Sequence, residues 1–558
     1  MPPLKALFYI DSLAMVSHCI AAAETLRLQA GAHIVAIVFQ SAHSMNETTR
    51  LYEIYDYSIL RTTGALGQSE QISKRGFRFP KTGLRRALYL LIPFYSRRLK
   101  PAGARLEKIL RAATAAQRRR RQDVRDFLKD LARKSPVLHA VLAVAFAAGG
   151  LLEVLLRLLT APLRFLFAMA RQVLLVGPRV SRLSFYAASI DNFLQTTRPD
   201  VIILPELNIE TLSNVFVVKG RAYGIPTVLT PFTIPNPAEP ARHYRHNPLH
   251  RADIAPGRWV AKQYPKWRFD YEGRPTLRLP ALLAWAIERS GFSTPAPWIL
   301  NRGEAAAIAL DSAAQRDFYL GLGFPAEQLK VTGDLNYTIP FHDCSDKARL
   351  EEALRLKYGF QPDRPLIVCG FPPDQYVDAT GHGFEFPSYE ALIDAWMAAF
   401  KSLGDKANIL IRPHPRIPVE RLAAYETANI KLSREPTANL IPLCDLYVAS
   451  ISATIRWAVS CGIPVVNYDT YRYCYSDFES APGVVHVKNA SDFHASLNRF
   501  VDDPAFAADI AERQRSVMNY WGCADGKSPE RFAALVKDVV ERAAERRVAE
   551  VASSSATS

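Results

Sequence analysis

The segment LYVASISATIRWAVSCGIPVVNY, residues Leu446–Tyr468, carries the pattern that decides the fold class. The apolar run Leu446–Ala449 predicts a buried strand, and Ala453–Ser460 has the residue spacing of a helix. Gly462 is expected to end that helix, and the run Val465–Tyr468 predicts a second strand. A strand, a helix and a strand in this order form a βαβ unit, whose two strands are parallel.

The same alternation recurs in both halves of the chain. Strands are predicted in the first half at Ala6–Ile10, His33–Phe39, Val201–Leu204 and Thr227–Thr230. Strands are predicted in the second half at Leu329–Thr332, Leu366–Cys369 and Ile409–Ile411. We therefore predict an α/β protein with two Rossmann-like domains.

Composition and pattern divide the chain into regions. An N-terminal Rossmann-like domain is predicted from residues 1–64 and 190–240, interrupted by a large helical insertion, basic and apolar, at 65–189. The regions predicted after it are a linker at 241–300, a C-terminal domain at 301–505, helices at 506–547 and a disordered tail at 548–558.

Nearly all of the net charge of +15 lies in the insertion, because Lys74–Lys134 contains 20 Lys and Arg against 4 Asp and Glu. The apolar stretch Val137–Gly177 follows, with arginines repeating every seventh residue at Arg157, Arg164 and Arg171. A basic segment beside apolar helices with one charged face is typical of contact with an anionic membrane surface. A buried helical subdomain and a membrane-spanning helix are the alternatives.

Several common cofactor signatures are absent from the sequence. It contains no G-x-G-x-x-G after a strand, no G-x-x-x-x-G-K-[ST], no D-x-D after a strand and no CxxC pair among its seven cysteines. We therefore expect no cofactor, no metal site and no disulfide scaffold.

The segment ILIRPHPR, residues Ile409–Arg416, places Arg412 and His414 at the carboxyl end of a predicted strand. Ligands of open α/β sheets bind at that end. Prolines on both sides fix the backbone around His414, which suits an imidazole that binds a phosphate oxygen or gives it a proton. The alternative is a stiff surface loop without a ligand.

Hydroxyl side chains follow another predicted strand, at Ser450, Ser452 and Thr454. Together with the free N–H groups of a helix start they predict a phosphate site, although such residues are also ordinary helix caps. Gly333 and Gln375 follow two further strands and are candidates for donor contacts, with simple tight turns as the alternative.

The corresponding edge of the N-terminal domain is predicted to carry acidic and imidazole groups. Glu206 follows the strand Val201–Leu204, where a general base for an acceptor hydroxyl could lie. Asp11 and His18 are predicted to lie in the first strand-to-helix loop, and Glu239 in a later segment, so these three are candidates for acceptor contacts.

The motifs VTGD (331–334), RPHP (412–415) and SISAT…GIPVV (450–466) resemble those of the GT-B glycosyltransferases of bacterial surface polysaccharides. Within that fold the resemblance is to capsule Kdo transferases, polysialyltransferases and CDP-glycerol glycerophosphotransferases, which share an HP and a Ser/Thr motif. The resemblance implies that His414, Ser452 and Thr454 bind the donor phosphate and that the N-terminal domain binds the acceptor.

The residues and the resemblance together predict a metal-independent glycosyltransferase with a nucleotide-sugar donor and a glycan or lipid-linked acceptor. We expect it at the cytoplasmic face of the inner membrane, with residues 74–177 on the anionic lipid surface and without nucleic acid as a partner. The alternatives are a sugar-nucleotide epimerase, a CDP-glycerol-type glycerophosphotransferase, a nucleic-acid-binding protein that uses the basic segment, and a binding scaffold without activity.

Overall fold

The computed structural model describes residues 3–10, 15–39, 53–55, parts of 169–200, 201–335, 344–376, 383–414, 417–450, 452–523 and 525–556. The insertion predicted to contact a membrane lies almost entirely outside these residues, and so does Asp11. Within the described ranges, no helix combines the length and the apolar character that crossing a membrane requires.

The strands, in chain order, are β1 (Lys5–Ile10), β2 (His33–Phe39), β3 (Glu53–Tyr55), β4 (Val201–Leu204), β5 (Thr227–Leu229), β6 (Arg268–Tyr271), β7 (Arg274–Leu277), β8 (Ala307–Leu310), β9 (Leu329–Val331), β10 (Leu366–Phe371), β11 (Asn408–Pro413), β12 (Ile430–Leu432), β13 (Leu446–Ala449), β14 (Val465–Tyr468) and β15 (Val484–Val487).

The helices described are α1 (Val16–Ala30), α2 (Ser213–Ala222), α3 (Ala238–Tyr244), α4 (Gly257–Gln263), α5 (Ala281–Arg289), α6 (Ala313–Gly321), α7 (Cys344–Tyr358), α8 (Tyr389–Ser402), α9 (Thr437–Leu440), α10 (Ile455–Ser460), α11 (Ala490–Asp502), α12 (Pro504–Trp521) and α13 (Ser528–Ala556).

Two separate parallel sheets confirm the predicted pair of Rossmann-like domains. The first sheet has the order β3-β2-β1-β4-β5-β8-β9, with only β3 antiparallel to its neighbour. The second has the order β12-β11-β10-β13-β14-β15, and every pair is parallel. In each sheet the strand order reverses at a switch point, which lies between β1 and β4 in the first sheet and between β10 and β13 in the second. Ligands of such sheets bind at the switch points.

The predicted border between the domains is wrong. Residues from 301 onward were assigned to the C-terminal domain, but β8 and β9 extend the first sheet beyond β5. The region 241–300 is not a linker either, because Trp267 and Leu277 are buried in the core of the first domain. Strand and helix patterns reveal a βα unit, but they do not reveal which sheet the strand joins.

The C-terminal helix α13 returns to the first domain. Its residues Phe532 and Val536 are buried in the same core as Phe8 of β1, and the helix packs against α1. The sequence predicts a disordered tail from residue 548, whereas the helix continues through Ala556.

Candidate functional site

The carboxyl ends of the two sheets face each other. Arg456 and Trp457, which follow β13 in the second domain, contact residues that follow β5, β8 and β9 in the first. The switch points of both sheets therefore open toward the same region between the domains.

At the second switch point, Gly370 of β10 lies between the two predicted phosphate-binding strands. It pairs with Arg412 of β11 on one side and with Ala449 of β13 on the other. β10 therefore separates the strand that carries His414 from the strand that carries the hydroxyl residues. Adjacent strands lie about 4.8 Å apart, so the ends of β11 and β13 are roughly 10 Å apart across β10.

A chain of hydroxyl groups follows β13. The Tyr447 hydroxyl lies 2.6 Å from Thr454 Oγ1, which lies 2.8 Å from Ser452 Oγ. Burial raises the pKa of the Tyr447 phenol well above its usual range, so this group stays protonated and able to donate. We call Tyr447, Thr454 and Ser452 the hydroxyl chain.

Gly370 is required by the hydroxyl chain. A Cβ atom at this position would lie 2.3 Å from the Tyr447 hydroxyl, so any side chain there would force the hydroxyl to shift. Sequence reasoning missed Tyr447, because an aromatic residue inside an apolar strand looks like ordinary core. A glycine at the end of a neighbouring strand was the only available signal.

The helix after the hydroxyl chain differs from the prediction. α10 has only six residues, and the Thr454 side chain makes no capping hydrogen bond. Ser452 Oγ instead accepts from the Thr454 N–H, at 3.3 Å, and Ser450 Oγ accepts from the N–H of Thr470, at 3.4 Å. The expected contribution of a helix start to phosphate binding is therefore not supported, and the hydroxyl groups carry the candidate site.

His414 and Arg412 lie where the sequence placed them, at the end of β11. Both are half-buried, and the His414 carbonyl accepts from the Ile417 N–H at 2.8 Å, which fixes the backbone of the turn. The Arg412 guanidinium donates to the carbonyls of Glu435 and Pro413. These bonds occupy two of the guanidinium donors of Arg412.

Gln375 lies in the loop after β10, at the second switch point. Its N–H donates to the Tyr471 hydroxyl at 3.4 Å, and this hydroxyl donates to the Pro373 carbonyl. The loop that carries Gln375 is therefore tied to residues that follow β14.

Gly333 lies against the start of α13. It has φ +89°, and a Cβ atom there would lie 2.1 Å from Ser528 Oγ at the start of α13. The close approach that Gly333 permits is made by Ser528 of the chain itself, and its donor contact stays a prediction.

Glu206 is buried at the first switch point. Its carboxylate accepts from Asn208 Nδ2 at 2.8 Å and from the Thr233 hydroxyl. Burial raises the pKa of this carboxyl, and the hydrogen bonds from Thr233 and Asn208 and the charge of Arg278 partly oppose the shift. A carboxylate with a raised pKa is suited to accept a proton near neutral pH.

His18 is buried near the start of α1. Its Nε2 lies 3.0 Å from the Thr230 carbonyl, and only 3% of the residue is exposed. Burial lowers the pKa of the imidazole. His18 thus contacts the segment after β5, and its predicted acceptor contact stays a prediction.

Glu239 lies in α3 and joins the two domains. It accepts from the hydroxyl of Tyr475 in the second domain. Arg242, one turn later, donates to the carbonyls of Tyr471 and Arg472. Glu239 thus joins the domains, and its predicted acceptor contact stays a prediction. The role of Arg242 was not predictable, because its partners are more than 200 residues away in sequence.

A buried charge cluster between the domains was also missed. Arg456 Nε lies 2.9 Å from Asp311 Oδ2, an ion pair without the direction of a hydrogen bond, and Trp457 Nε1 donates to Asp334 at 2.6 Å. Burial raises the pKa of Asp311 to about 7, opposed by the charge of Arg456 and assisted by that of Asp334. In the part of the chain that the structure describes, no group of three or more His, Cys, Asp or Glu residues is arranged to hold a metal ion.

Comparison with known proteins adds the following findings. No family model matches the chain, and no curated protein matches it significantly. The UDP-GlcNAc 2-epimerase of Neisseria meningitidis, solved with UDP-GlcNAc, aligns over 97% of this chain and 100% of that chain, with a TM-score of 0.44 and 10% identity.

A glycosyltransferase and a wall teichoic acid polymerase also align with this chain. The calicheamicin glycosyltransferase CalG4 covers 97% of this chain and 99% of its own, with a TM-score of 0.44 and 11% identity. The wall teichoic acid polymerase TagF covers 62% and 74%, with a TM-score of 0.37 and 12% identity. At these values the similarity carries no information about the site or the reaction of this chain.

Proposed function

We propose that the chain is a GT-B glycosyltransferase that moves a sugar from a nucleotide-activated donor to a hydroxyl of a cell-surface glycan or lipid-linked acceptor. The observation that carries this proposal is the chemical difference between the two facing sheet edges. The second edge offers uncharged donors and an imidazole, in the hydroxyl chain and His414. The first edge offers a buried carboxylate, Glu206.

The proposed reaction divides between these edges. Glu206 takes the proton from the acceptor hydroxyl, whose oxygen attacks the anomeric carbon of the donor sugar. The bond from that carbon to the phosphate oxygen breaks, and the nucleotide leaves with the electron pair. Hydrogen bonds from Ser452, Thr454 and His414 stabilise the charge on the departing phosphate, the kind of contribution that is often the largest in catalysis.

The test is a product assay with purified full-length protein. A panel of nucleotide sugars is incubated with and without oligosaccharide or lipid-linked acceptors, and products are separated by mass spectrometry. The proposal predicts that one nucleotide sugar yields free nucleotide and an extended acceptor. An isomerised nucleotide sugar formed without any acceptor would instead indicate an epimerase, and transfer of a glycerol phosphate unit a glycerophosphotransferase.

We further propose that residues 74–177 hold the enzyme on the anionic lipid surface at the cytoplasmic face of the inner membrane. The support is the charge excess of Lys74–Lys134 followed by the apolar stretch Val137–Gly177. Flotation with vesicles that contain anionic lipid should recover the protein at low salt, and neutral vesicles should recover much less. Retention on nucleic acid, but not on these vesicles, would overturn this proposal.

A further inference from the structure

Arg456 crosses from the second domain into the first. It lies in the first turn of α10 and is only 8% exposed. Its Nε pairs with Asp311, which directly follows β8, and its second terminal nitrogen donates to the Phe232 carbonyl at 3.2 Å. Both partners belong to the carboxyl edge of the first sheet.

The Phe232 carbonyl belongs to a short loop that also makes a hydrogen bond to Glu206. In this loop, residues 230–233, the next residue is Thr233, whose hydroxyl donates to the Glu206 carboxylate. The backbone N–H of Phe232 donates to the Pro205 carbonyl at 3.0 Å, next to Glu206. The contact from Arg456 therefore acts on the same loop that sets one of the two hydrogen bonds to the candidate base.

The other side of Arg456 leads to the donor site. Thr454 immediately precedes α10 and belongs to the hydroxyl chain, two residues from Arg456. Trp457 follows Arg456 in the same turn, and its indole N–H donates to Asp334 of the first domain. A ligand that moves Ser452 or Thr454 would therefore move the turn that contacts the loop 230–233.

We propose that Arg456 is a positioning residue that couples the turn carrying the donor hydroxyl chain to the hydrogen bond between Thr233 and Glu206. This inference rests on the proposed function and adds its regulation. The turn that carries the donor hydroxyl chain then also holds the candidate base in place for the acceptor hydroxyl. Among the described residues, Asp311, Asp334, His18 and Tyr319 are charged or titratable groups near Arg456. Arg278, Glu210 and Tyr319 are those near Glu206.

The experiment measures the titration of Glu206 without relying on activity. The unfolding free energy is followed against pH for the wild type and for Glu206→Gln, and the difference gives the folded pKa of Glu206. The same pair is measured in the Arg456→Lys, Thr233→Val and double backgrounds, with Arg515→Lys, an exposed ion-pair arginine, as the control.

Loss of one hydrogen bond to the carboxylate should raise the Glu206 titration midpoint by about 0.5 to 1 pH unit. We expect this rise in both single variants, no further rise in the double variant, and none in the control. Additive shifts, or a shift in Thr233→Val alone, would overturn the coupling. If Arg456→Lys does not fold, Arg456→Gln combined with Asp311→Asn removes the uncompensated charge and tests the same contact.

A second readout links the coupling to turnover. The acid limb of the pH profile of turnover should move by the same amount in both single variants, while the Kd of the nucleoside diphosphate changes less than about threefold. Wild-type protein that turns over no nucleotide sugar would refute the proposed function, whereas the titration of Glu206 would still decide the coupling.

Discussion

The two sheets share a topology, yet their carboxyl edges carry opposite chemistry. In both sheets the strand order reverses beside the strand that comes first in sequence, between β1 and β4 in one sheet and between β10 and β13 in the other. The first edge is acidic, with Glu206, Asp311 and Asp334 all buried. The second carries hydroxyls, an imidazole and arginines.

This difference shows how one scaffold can divide a transfer reaction. The switch point of a parallel sheet determines where a ligand binds, but the side chains after each strand determine its charge. A buried carboxylate suits proton abstraction, while neutral donors and cations suit a phosphate. Substitutions that remove either chemistry, and leave the scaffold, are therefore the sharpest tests of the comparison.

The largest effect is expected from Glu206→Gln, which removes the base but keeps the shape of the acidic edge. Removal of a general base typically lowers turnover by about a hundred- to ten-thousandfold. Binding of the nucleotide, measured by calorimetry, should stay unchanged because the second domain is intact. Glu304→Gln, at an exposed ion pair of the same domain, is the control. Loss of nucleotide binding together with turnover would show that the two edges are not chemically separate.

His414→Ala removes the imidazole from the second edge. One donor to a developing charge contributes roughly 3–4 kcal/mol, so turnover should fall about a hundredfold or more with the fold intact. Steady-state rates on the folded variant provide the measurement, and His494→Ala, at an exposed position of α11, serves as the control. Wild-type turnover in His414→Ala would remove this residue from the mechanism.

Asp311→Asn tests the charge of the interdomain cluster. The folded protein holds the Asp311 proton up to about pH 7, whereas an unfolded aspartic acid loses it near 3.8. Between these values the folded state binds more protons, so stability falls as pH rises, by about 2 kcal/mol from pH 5 to pH 7. The variant should lack this decrease in urea titrations.

The control for that experiment is Asp405→Asn, because the Asp405 carboxylate is 87% exposed. In this variant the free energy of unfolding should fall with pH as it does in the wild type. If the free energy of unfolding of Asp311→Asn still falls with pH as in the wild type, the Asp311 carboxyl is ionised from pH 5 to pH 7 and Arg456 alone balances its charge.

Gly370→Ala should have the smallest effect, confined to the second edge. Its new Cβ would displace the Tyr447 hydroxyl and disturb the hydroxyl chain. We expect a roughly tenfold weaker Kd for the nucleotide, equivalent to about 1.4 kcal/mol. Gly321→Ala is the matched control, because nothing lies within 4 Å of its Cβ position. Equal affinity in the two variants would separate Tyr447 from the site.

Apolar runs made the strands predictable, since a buried parallel strand such as Val201–Leu204 has few alternatives. The positions of Glu206 and His414 were predictable for the same reason, because each follows a strand directly. The border between the domains was not, since the strand at Ala307–Leu310 carries no mark of the sheet that it joins.

The sequence could not reveal which polar residues turn inward. His18, Glu239 and Gly333 were predicted as ligand contacts, and in the structure each contacts another part of the chain. Conversely, Arg456 and Tyr447 looked like ordinary helix and core residues, and their roles depend on partners that only the folded chain brings near.

We propose that the hydroxyl chain of the second domain binds the phosphate of a nucleotide. The most direct test of this proposal is the thermal stability of the full-length protein with CMP, CDP, UDP and GDP, for the wild type and for Ser452→Ala combined with Thr454→Val. At 100 times its Kd a bound nucleotide stabilises the folded state by about 2.7 kcal/mol. We predict a clear rise in Tm for one of these nucleotides in the wild type and its loss in the variant, whereas no rise with any of them, or an equal rise in the variant, would contradict the account.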